Sequence, residues 1–456
     1  MDVEQATVSR FWANETQVRW SAETRNIALL VVLTVLAAVF SCVHIYSKHL
    51  NGPPIRSDGF GYYAYLPSVF IDHSLELSSA LKNMPEGATS YAVGINPVNG
   101  TGRNFNKYAV GTALLQSPFF LSAHVLAGVA GEPQTGYSRF YQIANTVSAI
   151  SYLCIGMIFL FYALRSSYSA GVSLVTVALS VFGTNVFHYA TYDASFSHVY
   201  QFALTSILLY LLMTARRSGA RPRRGWVVAV GVVTGLIALT RMTNAPFALL
   251  TIAFFVERWS KDRDLKAFVA DGLLAGACVL LVLFPQLLYW KHLTGHWLVN
   301  AYTVVGEDAK FFWTHPALLD FLFSIRKGAL LWTPLLILGV IGLPALARRQ
   351  GMLGWAMILV LALHVYICAS WYCWPFGGSF GSRPMVDVMP IFAISAAMIV
   401  NQLATPRRVA MLTCLVAALV LLNWALMYSY WHGFIPFDET DLATLLKLPA
   451  RLRAEF

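Results

Sequence analysis

The sequence has 456 residues, of which 57% are apolar and 12% charged, with a mean hydropathy of +0.59. A soluble chain carries about 25% charged residues, so there is too little polar surface here to cover a water-soluble globule; disordered, collagen-like and disulfide-framework classes fall with it. The net charge of +10 is spread over many short loops, which excludes a nucleic-acid face and points to a polytopic membrane protein.

Residues 1–26 are polar, and the apolar run 27–46 lacks a following small-residue cleavage site, so it reads as a retained first span. Residues 48–137 then form an outer segment too long for a simple connector. Within it, Asp58 stands in Arg56-Ser57-Asp58-Gly59-Phe60-Gly61-Tyr62-Tyr63. Its carboxylate suits two roles that are compatible: a base for a substrate hydroxyl, or the cap of the helix that follows. Tyr62 and Tyr63 offer flat faces and hydroxyls at the interface. Lys107 would reach an anionic headgroup or snorkel as an interfacial lysine. Tyr62–Ile71 and Val110–Val129, interrupted by Pro67 and Pro118, read as helices lying in the outer interface. Were the second to cross, every later arginine-rich loop would lie outside, against the charge rule.

Further spans are expected at 139–164, 170–187, 198–215, 226–240, 244–257, 267–290, 329–347, 352–371, 386–403 and 409–429, about eleven in all. The turn from Thr191 to His198 is rich in hydrogen-bonding groups, and both Asp193 and His198 read either as site residues or as structural ones. Arg241 sits between two apolar runs and needs an anion or a cluster of carbonyls. Arg326 and Lys327, just before a span, read as anion ligands or as interfacial anchors. The segment from Trp371 to Pro384 holds Trp374, Pro375, Gly377, Gly378, Ser379, Gly381 and Arg383. Glycines and prolines shape non-helical backbone, which membrane proteins tolerate where it lines a cavity. Its aromatics would form a platform for a sugar or a prenyl chain.

The short loops around Arg165, Arg216, Arg217, Arg221, Arg223, Arg224, Arg258, Arg348, Arg349, Arg407 and Arg408 would be cytoplasmic, with Arg10 and Arg19 of the N-terminus. Both long outer segments, 48–137 and a second from Lys291 to Lys327, and the tail 430–456 would then be external. Four cysteines lie in apolar runs, while Cys368 and Cys373 lie close together as a bridge or as two thiols. Phosphate-loop, His-Glu-x-x-His and Cys-x-x-Cys patterns are lacking.

At these residues the chain resembles the GT-C membrane glycosyltransferases, such as protein O-mannosyltransferases and bacterial aminoarabinose transferases. Asp58 with Tyr62 falls where the family carries Asp-Glu-x-x-Tyr, and Lys107 where it carries the lysine of Glu-Lys-Pro-Pro. Gly377 to Arg383 is similar to a Gly-x-x-x-Gly-x-Arg stretch of related bacterial enzymes. Gly59 replaces the second acid, and Asn106, Tyr108 and Ala109 replace the residues around the lysine.

The resemblance implies one all-α GT-C domain over 1–456 in a bacterial inner membrane, with its site on the periplasmic face. It implies a sugar moved from a polyprenyl-phosphate carrier to a hydroxyl of a lipid, glycan or protein acceptor, with neither nucleic acid nor a required metal. Asp58 would be the base. Lys107, His198, Arg241, Arg326, Lys327 and Arg383 would hold the lipid phosphate; Tyr62, Tyr63, Asp193, Trp371, Trp374 and Ser379 would line the substrate. A flippase or transporter of lipid-linked sugars would use the same cations without a base, and a non-catalytic assembly partner is a third reading.

Overall fold

A computed structural model describes residues 22–85, 88–98, 103–219, 221–306 and 309–455. The N-terminal stretch with Arg10 and Arg19 lies outside the described residues. In chain order the principal helices are α1 (Ala22–Ser47), the short α2 (Ser57–Tyr63), α3 (Gly111–Val129), α4 (Arg139–Arg165) and α5 (Ala170–Phe182). They continue as α6 (His198–Ser218), α7 (Arg224–Thr240), α8 (Ala248–Asp262), α9 (Leu265–Thr294) and α10 (Leu335–Ser370). The last three are α11 (Met385–Leu403), α12 (Val409–Trp431) and α13 (Leu442–Glu455). Among the described residues the only strands, Ile95–Pro97 and Asn104–Asn106, form an antiparallel pair with Ile95 opposite Asn106.

Local chemistry marks the helix ends. Ser169 and Asp264 accept from the backbone N–H groups of Val172 and Ala267 and so cap α5 and α9. Gly219 and Gly295 end α6 and α9 in the left-handed conformation that glycine adopts without a Cβ penalty.

Among the described residues, eight helices are long and apolar enough to cross a membrane: α1, α3, α4, α6, α9, α10, α11 and α12. Polar contacts sort their ends. Arg165 pairs with Glu23 at 2.6 Å, Arg217 donates to the Arg165 carbonyl at 3.0 Å, and Arg216 pairs with Glu257 at 2.9 Å. Gln350 donates to Ser167 at 3.2 Å, so these groups share one end of the bundle. At the other end Tyr200 donates to Ser148 and Thr240 to Gln201.

Two elements depart from what length alone suggests. In α10, Gly351 has φ 54° and ψ −132°, and it stands beside Arg216 at the arginine-rich end. Gly339 and Gly342 pack on Phe392 and Ser395, while His364 returns to the Pro384 carbonyl at 2.9 Å. The helix therefore folds back on itself as the two spans expected at 329–347 and 352–371. Conversely, α3 starts with Gly111 against the Leu239–Thr240 backbone, and its Phe120 and His124 pack on Tyr141 near the start of α4. Both its ends lie at one end of the bundle, so it does not traverse, in keeping with an interfacial helix. Leaving out α3 and counting α10 twice gives eight passes among the described residues, and the shorter α5, α7 and α8 run between the same two ends of the bundle. All six cysteines are free, including Cys368 and Cys373.

Candidate active site

The backbone around Asp58 is held by close packing. A Cβ at Gly59 would stand 1.8 Å from the Ser195 hydroxyl oxygen, and one at Gly61 2.4 Å from the Tyr108 ring. Only glycine lets α2 approach the 192–197 turn and Tyr108 this closely. Ser57, one residue before the acid, takes a positive φ of 49°. A non-glycine residue held there costs about 1–3 kcal/mol, a strain that clusters at functional sites.

Arg56 is the N-cap residue of α2, and Asp58 lies in the first turn. Its carboxylate is directed across the site at Arg383, 2.7 Å from Nη2. Tyr108 also donates to it. Burial pushes the Asp58 carboxyl up, but the charges of Arg383 and Lys107 and the Tyr108 hydrogen bond outweigh it and hold the group below the usual range. The Lys107 ammonium lies 5.4 and 5.3 Å from the Tyr108 and Tyr302 rings.

Arg383 ends a loop whose shape needs three left-handed residues, Phe376, Gly377 and Gly381. Its guanidinium lies 5.3 Å from the Phe196 ring and 5.7 Å from Phe376, and its Nε is buried without a protein acceptor. Two of the expected phosphate ligands already have partners within the protein. Lys327 is 1% exposed and donates to the carbonyls of Gly377 (3.1 Å), Phe437 (3.0 Å) and Ser379. An ammonium has three donors, so its role is to hold the loop. Arg326 pairs with Asp438 at 2.9 Å. Ser379, expected to line the substrate, instead donates within the loop to Pro375 (3.2 Å) and Gly381 (3.1 Å). Trp371 packs on Tyr302 and Phe311 and pairs with Phe311 backbone, tying the second outer segment to the loop, while Trp374 packs on the core.

Arg241 reaches the same end through a buried network. Its Nη1 is 3.0 Å from His198 Nε2, and His198 Nδ1 is 2.8 Å from Asp387 Oδ1. Arg241 Nε lies 3.6 Å from Asp387 Oδ2, to which Asn244 donates at 2.9 Å. A neutral imidazole protonated on Nδ1 satisfies both contacts, donating to Asp387 and accepting from Arg241. Both nitrogens are thus engaged, and His198 links Arg241 to Asp387. Sequence reading passed over Asp387, although a lone acid in the span 386–403 is the signal that would have found it. Tyr62 lies between the clusters, its ring 4.5 Å from that of Tyr108.

Asp193 and Tyr63 are framework. Asp193 pairs with Arg56 at 2.5 Å and with His188 at 2.9 Å, and Trp431 donates to the other His188 nitrogen at 3.0 Å. This chain anchors Arg56, two residues before the acid. Tyr63 donates to the Gly136 carbonyl at 2.6 Å. The structure therefore brings together Asp58, Lys107, Arg383, Tyr62 and Arg241, and sets the other expected residues around them as supports.

No protein-family model and no curated protein sequence matches the chain. Solved structures do. The oligosaccharyltransferase AglB of Archaeoglobus fulgidus, in complex with an inhibitory peptide and a dolichol-phosphate, matches 92% of this chain at 11% identity and a TM-score of 0.54. Its apo form matches 94% at 10% identity and 0.56. In both cases the chain spans 57% of the length of the oligosaccharyltransferase. ArnT of Cupriavidus metallidurans, bound to undecaprenyl phosphate, matches 93% of this chain and 72% of its own, at 16% identity and 0.50.

The chain has the GT-C fold. Around Asp58 a guanidinium, a lysine and a phenol already face the carboxylate. The nearby Asp387 is likewise taken by Arg241, His198 and Asn244. Among the described residues no group of three or more His, Cys, Asp or Glu side chains converges.

Proposed function

We propose that the chain is a glycosyltransferase that moves a sugar from a polyprenyl-phosphate carrier to an acceptor hydroxyl, with Asp58 as the general base. The observation that carries this reading is the contact of Asp58 with Arg383, an acid and a cation presented together beside Lys107 and Arg241. In the proposed step the acceptor oxygen attacks the anomeric carbon and the bond from that carbon to the phosphate oxygen breaks. The electron pair leaves with the phosphate, and the hydroxyl proton passes to Asp58. Arg383, Arg241 and Lys107 meet the charge that grows on the phosphate, a role in which losing one donor costs about 3–4 kcal/mol. As Arg383 turns to the phosphate, Asp58 loses its closest counter-ion and becomes the stronger base. No metal takes part in this scheme.

That AglB is held with a dolichol-phosphate and an inhibitory peptide, and ArnT with undecaprenyl phosphate, supports a lipid-phosphate carrier and a separate acceptor. By the positive-inside rule the arginine-rich end would face the cytoplasm and Asp58 the outside of a bacterial plasma membrane. The deciding experiment incubates purified protein with a panel of synthetic polyprenyl-phosphate sugars and measures released polyprenyl phosphate, with and without a chelator. Release that survives chelation is expected. Movement of the lipid-linked sugar across a bilayer with no glycosidic product would replace the enzyme with a transporter.

A further inference from the structure

Asp58 and Lys107 come from separate stretches of the first outer segment, and one buried side chain joins them. Asn106 ends the second strand and is 0% exposed. Its Nδ2 donates at 2.6 Å to the carbonyl of Gly61, in the same short helix as Asp58. Its Oδ1 accepts at 3.0 Å from the N–H of Tyr108, next to Lys107. Its own N–H donates to the Tyr289 hydroxyl of α9 at 2.8 Å. The amide nitrogen faces an acceptor and the amide oxygen a donor, so these contacts fix which way the side chain points.

The residue type follows from this geometry. The GT-C pattern carries a glutamate before the lysine, and an ionised glutamate only accepts hydrogen bonds. Here the Gly61 carbonyl takes a donor, which asparagine supplies together with an acceptor for Tyr108. Other bonds hold the rest of the frame. The Lys107 N–H donates to the Gly94 carbonyl at 3.0 Å, the Tyr65 hydroxyl to the Tyr108 carbonyl at 2.6 Å, and the Val110 N–H to Gln286 of α9 at 2.9 Å. Of these contacts only the Asn106 amide bonds to α2, the helix of Asp58.

We propose that Asn106 is a positioning residue of the transfer step, tying α2 to the Lys107–Tyr108 segment so that the Asp58 carboxylate stays oriented. The inference rests on Asp58 being the base. Asp58 is faced by Arg383 from the loop before α11, by Lys107 and Tyr108 from this segment, and by the phenols of Tyr62 and Tyr189. When Arg383 turns to the phosphate, Lys107 and Tyr108 remain beside the base, and Asn106 sets where they stand. Cutting the tie lets the ammonium and the phenol draw away. The Asp58 carboxyl then moves upward, because a nearby opposite charge favours its ionised form.

The test uses the full chain and compares Asn106→Ala with Asn104→Ala. The second variant breaks a similar link of the same strand, from Asn104 Nδ2 to the Glu76 carbonyl at 3.0 Å. Two quantities are read: sugar transfer, and the pH dependence of Asp58 modification by dicyclohexylcarbodiimide, which reacts with protonated carboxyls. Peptide mass spectrometry locates the label, so this second reading needs no turnover. Asn106→Ala is expected to slow transfer about tenfold or more, as for a misplaced reacting group, and to move the labelling midpoint to higher pH. Asn104→Ala should change neither. A merely structural asparagine would lower the thermal unfolding midpoint and leave the labelling midpoint in place. If Asn106→Ala does not fold, Asn106→Ser, whose hydroxyl keeps one of the two bonds, replaces it. An unmoved labelling midpoint in a folded Asn106 variant, or an equal shift in Asn104→Ala, would overturn the proposal. Wild type that releases no polyprenyl phosphate from any donor would instead remove the transferase reading beneath it, so the two failures show in different proteins.

Discussion

Asp58→Asn separates charge from shape at the site. The amide keeps the size of the side chain, and because Arg56 rather than residue 58 is the N-cap residue, helix formation is not at stake. The variant should fold, bind donor and transfer sugar at least about a hundredfold more slowly, the usual cost of losing acid–base assistance. Near-normal transfer would remove Asp58 from the mechanism. Arg383→Ala should weaken donor binding, whereas Arg408→Ala, at the far end, should leave it unchanged; direct binding of a lipid-phosphate analogue reads both. Lys327 makes a different prediction, about pH. Burial pushes its ammonium down to about 7 from an ordinary value of 10.5. The unfolded chain therefore holds more protons on this residue between pH 7 and 10.5, so its contribution to stability rises with pH across that window. The cost of the buried charge is fully present below pH 7. Thermal unfolding of wild type and Lys327→Met between pH 7 and 10 should show the rise in wild type reduced in the variant, and identical slopes would contradict the assignment.

At the scale of elements, the catalytic segment depends on how closely α2 meets the turn before α6. A Cβ at Gly59 would penetrate Ser195, and this also explains why the second acid of the GT-C motif has no place in this chain. Gly59→Ala should push Asp58 away from Arg383, lowering transfer tenfold or more by analogy with misplaced reacting groups. Overpacking should cost about 1–3 kcal/mol of stability. Gly171→Ala in α5 meets nothing within 4 Å and should be silent in both assays. Equal activity of the two variants would show that the α2 contact does not position the acid. Arg241 illustrates the same dependence, since α6 and α11 supply its partners His198 and Asp387, and Asn244 in the turn after α7 donates to the same Asp387 carboxylate.

Across the whole molecule, the arginine-rich end and the Asp58 end are opposite ends of the helix bundle, and sidedness follows from labelling. On a background without reactive native cysteines, His296→Cys should react with an impermeant thiol reagent in intact cells and Gly219→Cys only after permeabilisation. The reverse pattern would place Asp58 in the cytoplasm and withdraw the external carrier from the proposed reaction.

Hydropathy in the sequence was enough to determine the all-helical membrane class, because each apolar run must satisfy its own backbone in a membrane; the interfacial reading of α3 rests on charge bias and Pro118 instead, since by length and hydropathy α3 is able to cross. It also marked Asp58, Lys107, Arg241 and Arg383, since ionisable groups stand out against an apolar chain. Which of these act together, and which only support, was decided by tertiary structure. Lys327, Arg326, His198, Asp193, Tyr63 and Ser379 look like site residues from their types, yet each is bound to partners tens to hundreds of positions away or within its own loop. Asp387 shows the converse: it carries no local motif, and its importance arises only when three other elements converge on its carboxylate. A sequence specifies donors and acceptors locally, but the distances that pair them belong to the packed helices.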